Sequence, residues 1–112
     1  MSSLFENIDI TAYQEQFEQN DSIAYLLLDV RETNEYVQGH LPGAVNLPLS
    51  ELQVRIHEVE KEQAIVLVCA RGRRSAMAAE FMASVGYTQL YNLVDGTLGW
   101  MMQGLPLDTE DS

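Results

Sequence analysis

Cys69, the only cysteine in the chain, is followed by Ala70-Arg71-Gly72-Arg73-Arg74-Ser75. A thiol beside three arginines and a glycine has the makings of a nucleophile held as its anion. A free thiol with a pKa near ~8.5 is only about 3% ionised at pH 7, and nearby cations and inward-pointing amides both favour the thiolate. Gly72 suits such a loop, because glycine takes positive φ without steric cost and lets successive N–H groups converge on an anion. The charge distribution sharpens the point. The 112 residues carry 6 Lys plus Arg against 17 Asp plus Glu, yet half of those bases are Arg71, Arg73 and Arg74. Like charges repel, so folding alone gives no reason to gather them, whereas a bound anion or a thiolate does. A lone cysteine is most often a small buried apolar residue. Its loop gives this one another reading.

The elements that would position the loop are legible around it. Ala64-Ile65-Val66-Leu67-Val68 reads as a buried parallel strand, and Arg74 to Val85, with Ala78, Phe81, Met82 and Val85 on one face, as a helix ending at Gly86. Cys69 then lies in a strand-to-helix loop at the carboxyl end of a strand, where α/β sheets bind ligands and the next helix offers unpaired N–H groups. Upstream, Thr11 with Gln14 predicts a capping box for a helix with Tyr13 and Phe17 on one face, and Ala24 to Val30 predicts a second strand. Glu32 to Val37 reads as a short helix, the turn from Gly39 to Gly43 leads to a strand near Ala44 to Asn46, and Ser50 with Gln53 predicts another capping box. In that third helix Leu52, Ile56 and Val59 face inward, with His57 on the polar side. Leu90 to Val94 is the last expected strand, Leu98 to Gln103 a final short helix, and Asp108 to Ser112 an acidic tail without apolar anchors. Alternating strands and helices of this kind mean an α/β domain with a mainly parallel sheet. Residues 1–112 are read as a single domain, with a core of about residues 4–107.

Composition narrows the function classes. A net charge of −11 and a pI near 4.3 oppose nucleic acid and anionic membrane as partners. No apolar run reaches membrane-spanning length. A single cysteine cannot form an intramolecular disulfide, and the opening Met1 to Asn7 has neither a basic start nor an apolar signal core, so the expected compartment is the cytoplasm. The Cys and His residues lack metal-ligand spacing, and neither a metal nor an organic cofactor is expected.

The loop, with its glycine three positions after the cysteine and its closing Arg-Ser, resembles the active-site loop of the rhodanese-like sulfurtransferases. Leu28-Asp29-Val30-Arg31-Glu32 with Glu35-Tyr36, and then Gly39-His40-Leu41-Pro42-Gly43-Ala44-Val45-Asn46, are similar to that family's amino-terminal signature. Asn92-Leu93-Val94-Asp95-Gly96 with Gly99-Trp100 is similar to its carboxyl-terminal one. Three separated motifs in the right order make the match specific. The resemblance implies a rhodanese-like fold, with a central, mainly parallel five-stranded sheet and helices on both faces. It also implies Cys69 as catalytic nucleophile, with Ala70, Arg71, Gly72, Arg73, Arg74 and Ser75 as the substrate-binding loop. The expected reaction takes sulfur from thiosulfate, or a similar small anionic donor, through a Cys69 persulfide to cyanide or a thiol, the thiol of a partner protein included. In one departure, Thr97 follows Gly96 where the family usually has a second glycine. A β-branched residue tolerates positive φ poorly, so this corner should differ in detail.

Duller roles are expected elsewhere. Asp29, Arg31 and Glu35 read as framework ion pairs, His40 as a turn residue bonding backbone, and Trp100, Met101 and Met102 as core or a lid at the pocket edge. Two rival functions remain open. A cysteine phosphatase or arsenate reductase also uses a Cys-led anion loop on an α/β sheet, but related phosphatase loops place Arg six positions after Cys, where this chain has Ser75. A sulfur-relay or partner-binding module would use the same residues as the enzyme.

Overall fold

The computed structural model describes residues 4–109. Five strands, β1 (Glu6–Ile8), β2 (Tyr25–Asp29), β3 (Val45–Asn46), β4 (Ala64–Val68) and β5 (Leu90–Leu93), form one parallel sheet in the order β1-β5-β4-β2-β3. The helices are α1 (Ile10–Tyr13, continued by a π-helical turn Gln14–Glu18), α2 (Thr33–Tyr36), α3 (Leu49–Arg55, continued by a 3₁₀ turn Ile56–Glu58), α4 (Arg73–Ser84) and α5 (Gly96–Met102). The period of two along the strands sorts the apolar residues into two layers. Leu28, Ile65, Leu67 and Cys69 pack with Leu52, Ala78, Ala79 and Met82 of α3 and α4. On the other face Leu27, Val66, Val68 and Leu93 pack with Ile10, Tyr13, Phe17 and Trp100 of α1 and α5. Continuous apolar strands are what a sheet covered on both faces requires.

β4 is the central strand, and the chain changes side there. After β2 and β3 have filled one half, β5 is added on the other side of β4. Ligands of open α/β sheets bind where the connectivity diverges in this way, at the carboxyl ends of the strands. Cys69 follows β4 directly.

Both capping boxes expected from sequence are replaced. Asp9, two residues before Thr11, is the N-cap of α1 and accepts from the Ala12 amide at 2.8 Å. Pro48 stands at the N-cap of α3, and the Ser50 hydroxyl instead donates to the Glu32 carboxylate at 3.0 Å. A capping box does form at α2, between Glu32 and Glu35. Asp108, read as the start of a loose tail, exchanges two backbone hydrogen bonds with His40, at 3.0 and 2.9 Å. Residues 110–112 of that tail, like Met1 to Ser3, lie outside the described residues. Among the described residues, no helix is long and apolar enough to cross a membrane.

Candidate active site

The loop after β4 folds back over its own cysteine. Gly72 takes φ +85° and α4 begins at the next residue, so the chain reverses within three positions and directs amides at the sulfur. The Gly72 amide donates to Cys69 Sγ at 3.1 Å and the Ser75 amide at 3.3 Å, while the Ser75 hydroxyl lies 3.3 Å from the same atom. Cys69 is 1% exposed. Burial works against the anion and raises the thiol, but the Ser75 hydroxyl and the amides of Ser75, Arg71 and Gly72 outweigh it, leaving Cys69 below the ordinary thiol value.

The last helix holds the loop from behind. At the start of α5, Thr97 N donates to Cys69 O at 2.8 Å and Leu98 N to Ala70 O at 3.1 Å. Because a peptide unit is planar and trans, drawing the Ala70 carbonyl toward α5 aims the Arg71 N–H the opposite way, toward the sulfur. Gly96, at φ +66°, makes this approach possible, since a Cβ there would stand 2.2 Å from Ala70 O. Thr97 avoids positive φ altogether, and its hydroxyl adds a 3.3 Å bond to Cys69 O that glycine could not supply. The departure from the double glycine thus strengthens the corner.

The three loop arginines part company. Arg74 forms a two-pronged pair with Glu35 of α2, at 2.7 and 3.0 Å, which ties α4 to the β2 side of the crevice. The Arg74 guanidinium holds the Glu35 carboxyl below the usual glutamate range. A carboxylate whose pKa falls on folding contributes stability above its unfolded value and loses it as pH drops through the folded one. Both side chains are 35% exposed, so after solvent screening the pair is worth up to about 1 kcal/mol. Thermal melts should therefore show Glu35→Gln slightly less stable than the parent at neutrality, with the gap closing below the ordinary glutamate range. Arg71 and Arg73 are exposed and make no ion pair or side-chain hydrogen bond among the described residues. In so acidic a chain, two unpartnered cations flank the sulfur loop.

Asp29 and Arg31 form the expected framework pair, buried and joined at 2.8 Å, with Arg31 Nη2 also donating to Gly39 O at 2.7 Å. Glu35 does not join them, because Arg74 claims it. Arg31, Glu35, Gly39, Ala70, Leu98 and Met101 line a cleft of about 280 Å³ beside the loop. His40 is buried, stacks on Tyr36 and bonds its carbonyl through Nδ1 at 2.9 Å, a structural role. Trp100 is core, Met102 is exposed, and Met101 reaches the cleft. Among the described residues, no group of three or more His, Cys, Asp or Glu side chains is placed to hold a metal ion.

Asn92 is a residue of the site that the sequence patterns above do not single out. It is 2% exposed at the end of β5, where its Oδ1 accepts from the Ser75 hydroxyl at 2.5 Å and its Nδ2 donates to Gly72 O at 3.2 Å. A polar residue in an otherwise apolar strand was the available signal, since buried amides need partners.

Comparison with known proteins agrees with this geometry. A rhodanese-like domain family model matches residues 9–103. The chain belongs to the rhodanese-like domain family. A Bacillus subtilis protein named for a sulfur-carrier role, YrkF, is 35% identical over 88% of this chain, which spans only 52% of that protein. A sulfurtransferase of Allochromatium vinosum is 34% identical over 78% of the chain and 81% of its own length. The crystal structure of a rhodanese-related protein from Thermoplasma volcanium superposes with a TM-score of 0.82 at 30% identity, covering 95% of this chain and 100% of that one. The rhodanese-like fold and membership in a family of sulfurtransferases and sulfur carriers follow.

Proposed function

We propose that this rhodanese-like chain is a sulfurtransferase that carries sulfane sulfur on Cys69, taking it from thiosulfate or a similar anionic donor and passing it to cyanide or a thiol. The observation that carries the reading is the convergence of the Gly72 and Ser75 amides on Sγ, in a loop flanked by the unpaired Arg71 and Arg73. The thiolate attacks the outer sulfur of thiosulfate. An S–S bond forms to Cys69, the bond between the two donor sulfurs breaks, and its electron pair leaves with sulfite. The persulfide places the reactive sulfur about 2 Å further out than Sγ, which is otherwise nearly buried. The terminal sulfur then passes to cyanide or a thiolate, and the electron pair of the cleaved bond restores the Cys69 thiolate.

Incubation with thiosulfate should add one sulfur atom to the protein mass and release one equivalent of sulfite; neither occurring would end the proposal. Turnover with cyanide then separates a free-standing enzyme from a relay, in which the sulfur leaves only for a protein thiol. The phosphatase reading finds no support, because the position its arginine clamp would need is Ser75, whose hydroxyl is turned to Sγ and Asn92. Arg71→Ala should raise KM for thiosulfate by up to about fivefold with little change in kcat, as expected for one exposed charge contact. It should also flatten the salt dependence of kcat/KM. Unaltered kinetics would remove Arg71 from donor binding.

A further inference from the structure

Polar side chains run from the edge strand to the sulfur: Asn7, exposed on β1, then the buried Asn92 opposite it on β5, Ser75 on α4 and Cys69. Asn92 Nδ2 donates to Asn7 Oδ1 at 3.0 Å and to Gly72 O at 3.2 Å, and Oδ1 receives Ser75 Oγ at 2.5 Å. The Gly72 carbonyl decides which way this amide lies. A carbonyl can only accept, so the reverse orientation would set two oxygens face to face with no proton between them. Oδ1 therefore points at Ser75. As it too lacks a proton, the proton in that short contact belongs to the Ser75 hydroxyl, which has only one. With that proton committed, Ser75 Oγ meets Cys69 Sγ at 3.3 Å as an acceptor, suited to a thiol S–H.

We infer that Asn92 is a positioning residue for the nucleophile, holding the Ser75 proton while Cys69 is a thiol and releasing it to the sulfur once Cys69 is an anion. The inference rests on the reading of Cys69 as the nucleophile. No proton passes between the side chains. The thiol proton leaves to solvent, and the hydroxyl turns about its own C–O bond, exchanging Asn92 Oδ1 for Sγ. Asn92 thus competes with the thiolate for one donor and limits how far the ring lowers its pKa. In the persulfide, Sγ carries no proton, so the hydroxyl can stay turned toward it while sulfur is held.

The test reads ionisation directly, as the rate of Cys69 alkylation by iodoacetamide across a pH series, and needs no sulfur donor. In Asn92→Val, which keeps a good strand former on β5, the half-maximal pH should fall by about half to one unit, the worth of one hydrogen bond. In Ser75→Ala the same substitution should leave it unchanged, because no shared proton remains. Loss of the Gly72 contact is common to both backgrounds and cancels. No fall with Ser75 present, or an equal fall in both backgrounds, would overturn the inference. Asn92→Ala serves if Asn92→Val does not fold. If the coupled shift appears in a protein that takes no sulfur from thiosulfate, the donor assignment fails while Asn92 keeps its role.

Discussion

Cys69→Ser is expected to abolish sulfur transfer, with a loss on the order of a thousandfold or more and no gain of mass after exposure to thiosulfate. The chemistry leaves no substitute. A hydroxyl at this position would stay protonated in a ring that favours an anion by hydrogen bonds alone, and no covalent sulfur adduct of serine would be stable enough to accumulate. Among the described residues, no other thiol stands in reserve. The substitution also isolates chemistry from folding. Serine is close in size, and its hydroxyl would find the amides of Gly72 and Ser75 where Sγ now lies, so the cost of a buried polar group is met. The melting temperature should therefore change little. Retained transfer would remove Cys69 from the mechanism, whereas lost transfer with a collapsed melt would leave the role to be tested by a gentler variant. In the parent chain, transfer should rise to half its maximum below the pH at which an ordinary thiol ionises, because the loop bonds outweigh burial.

Much of this site was visible as spacing. A strand-length apolar run ending at a cysteine, a glycine three positions on and a helical period thereafter place Cys69, the turn and the helix start within one residue of where they lie. The unbroken apolar run Ala64 to Val68 reads as a buried parallel strand, and apolar layers cover the sheet on both faces. What spacing could not express was competition between partners. Arg74 looks like its neighbours Arg71 and Arg73, yet Glu35 lies within reach of it alone, and that carboxylate sits 39 residues away. Ser50 matched a capping pattern, but Glu32 offered its hydroxyl a charged acceptor, and a hydrogen bond to a charged group is the stronger. Asn92 shows the same limit most plainly. Its partners Asn7, Gly72 and Ser75 come from three other segments, so only the assembled sheet brings this strand amide to the hydroxyl beside the sulfur.

Gly96→Ala should be the most damaging single-methyl change in the chain, because it forces apart the two loops whose contact aims the Arg71 amide. Its Cβ would lie 2.2 Å from Ala70 O and 2.7 Å from Cys69 O, all backbone atoms that no rotamer change can move. Left-handed backbone costs alanine roughly 1–2 kcal/mol. The bonds from Thr97 N to Cys69 O and from Leu98 N to Ala70 O would be stretched or broken as well, each worth about 1 kcal/mol. Together these give a loss of roughly 3–4 kcal/mol, or a melting temperature lower by about 12 °C or more in a domain of this size. Gly104 supplies the control. It also has positive φ, at +74°, but a Cβ there meets nothing within 4 Å, so Gly104→Ala should cost only the backbone preference. The difference between the two variants measures the close approach itself. It should be matched by a rise in the pH of Cys69 alkylation in Gly96→Ala alone, since tilting the Ala70 carbonyl turns the Arg71 N–H off the sulfur. Equal melts, or an unmoved alkylation profile in Gly96→Ala, would mean that α5 does not set the geometry of the anion ring.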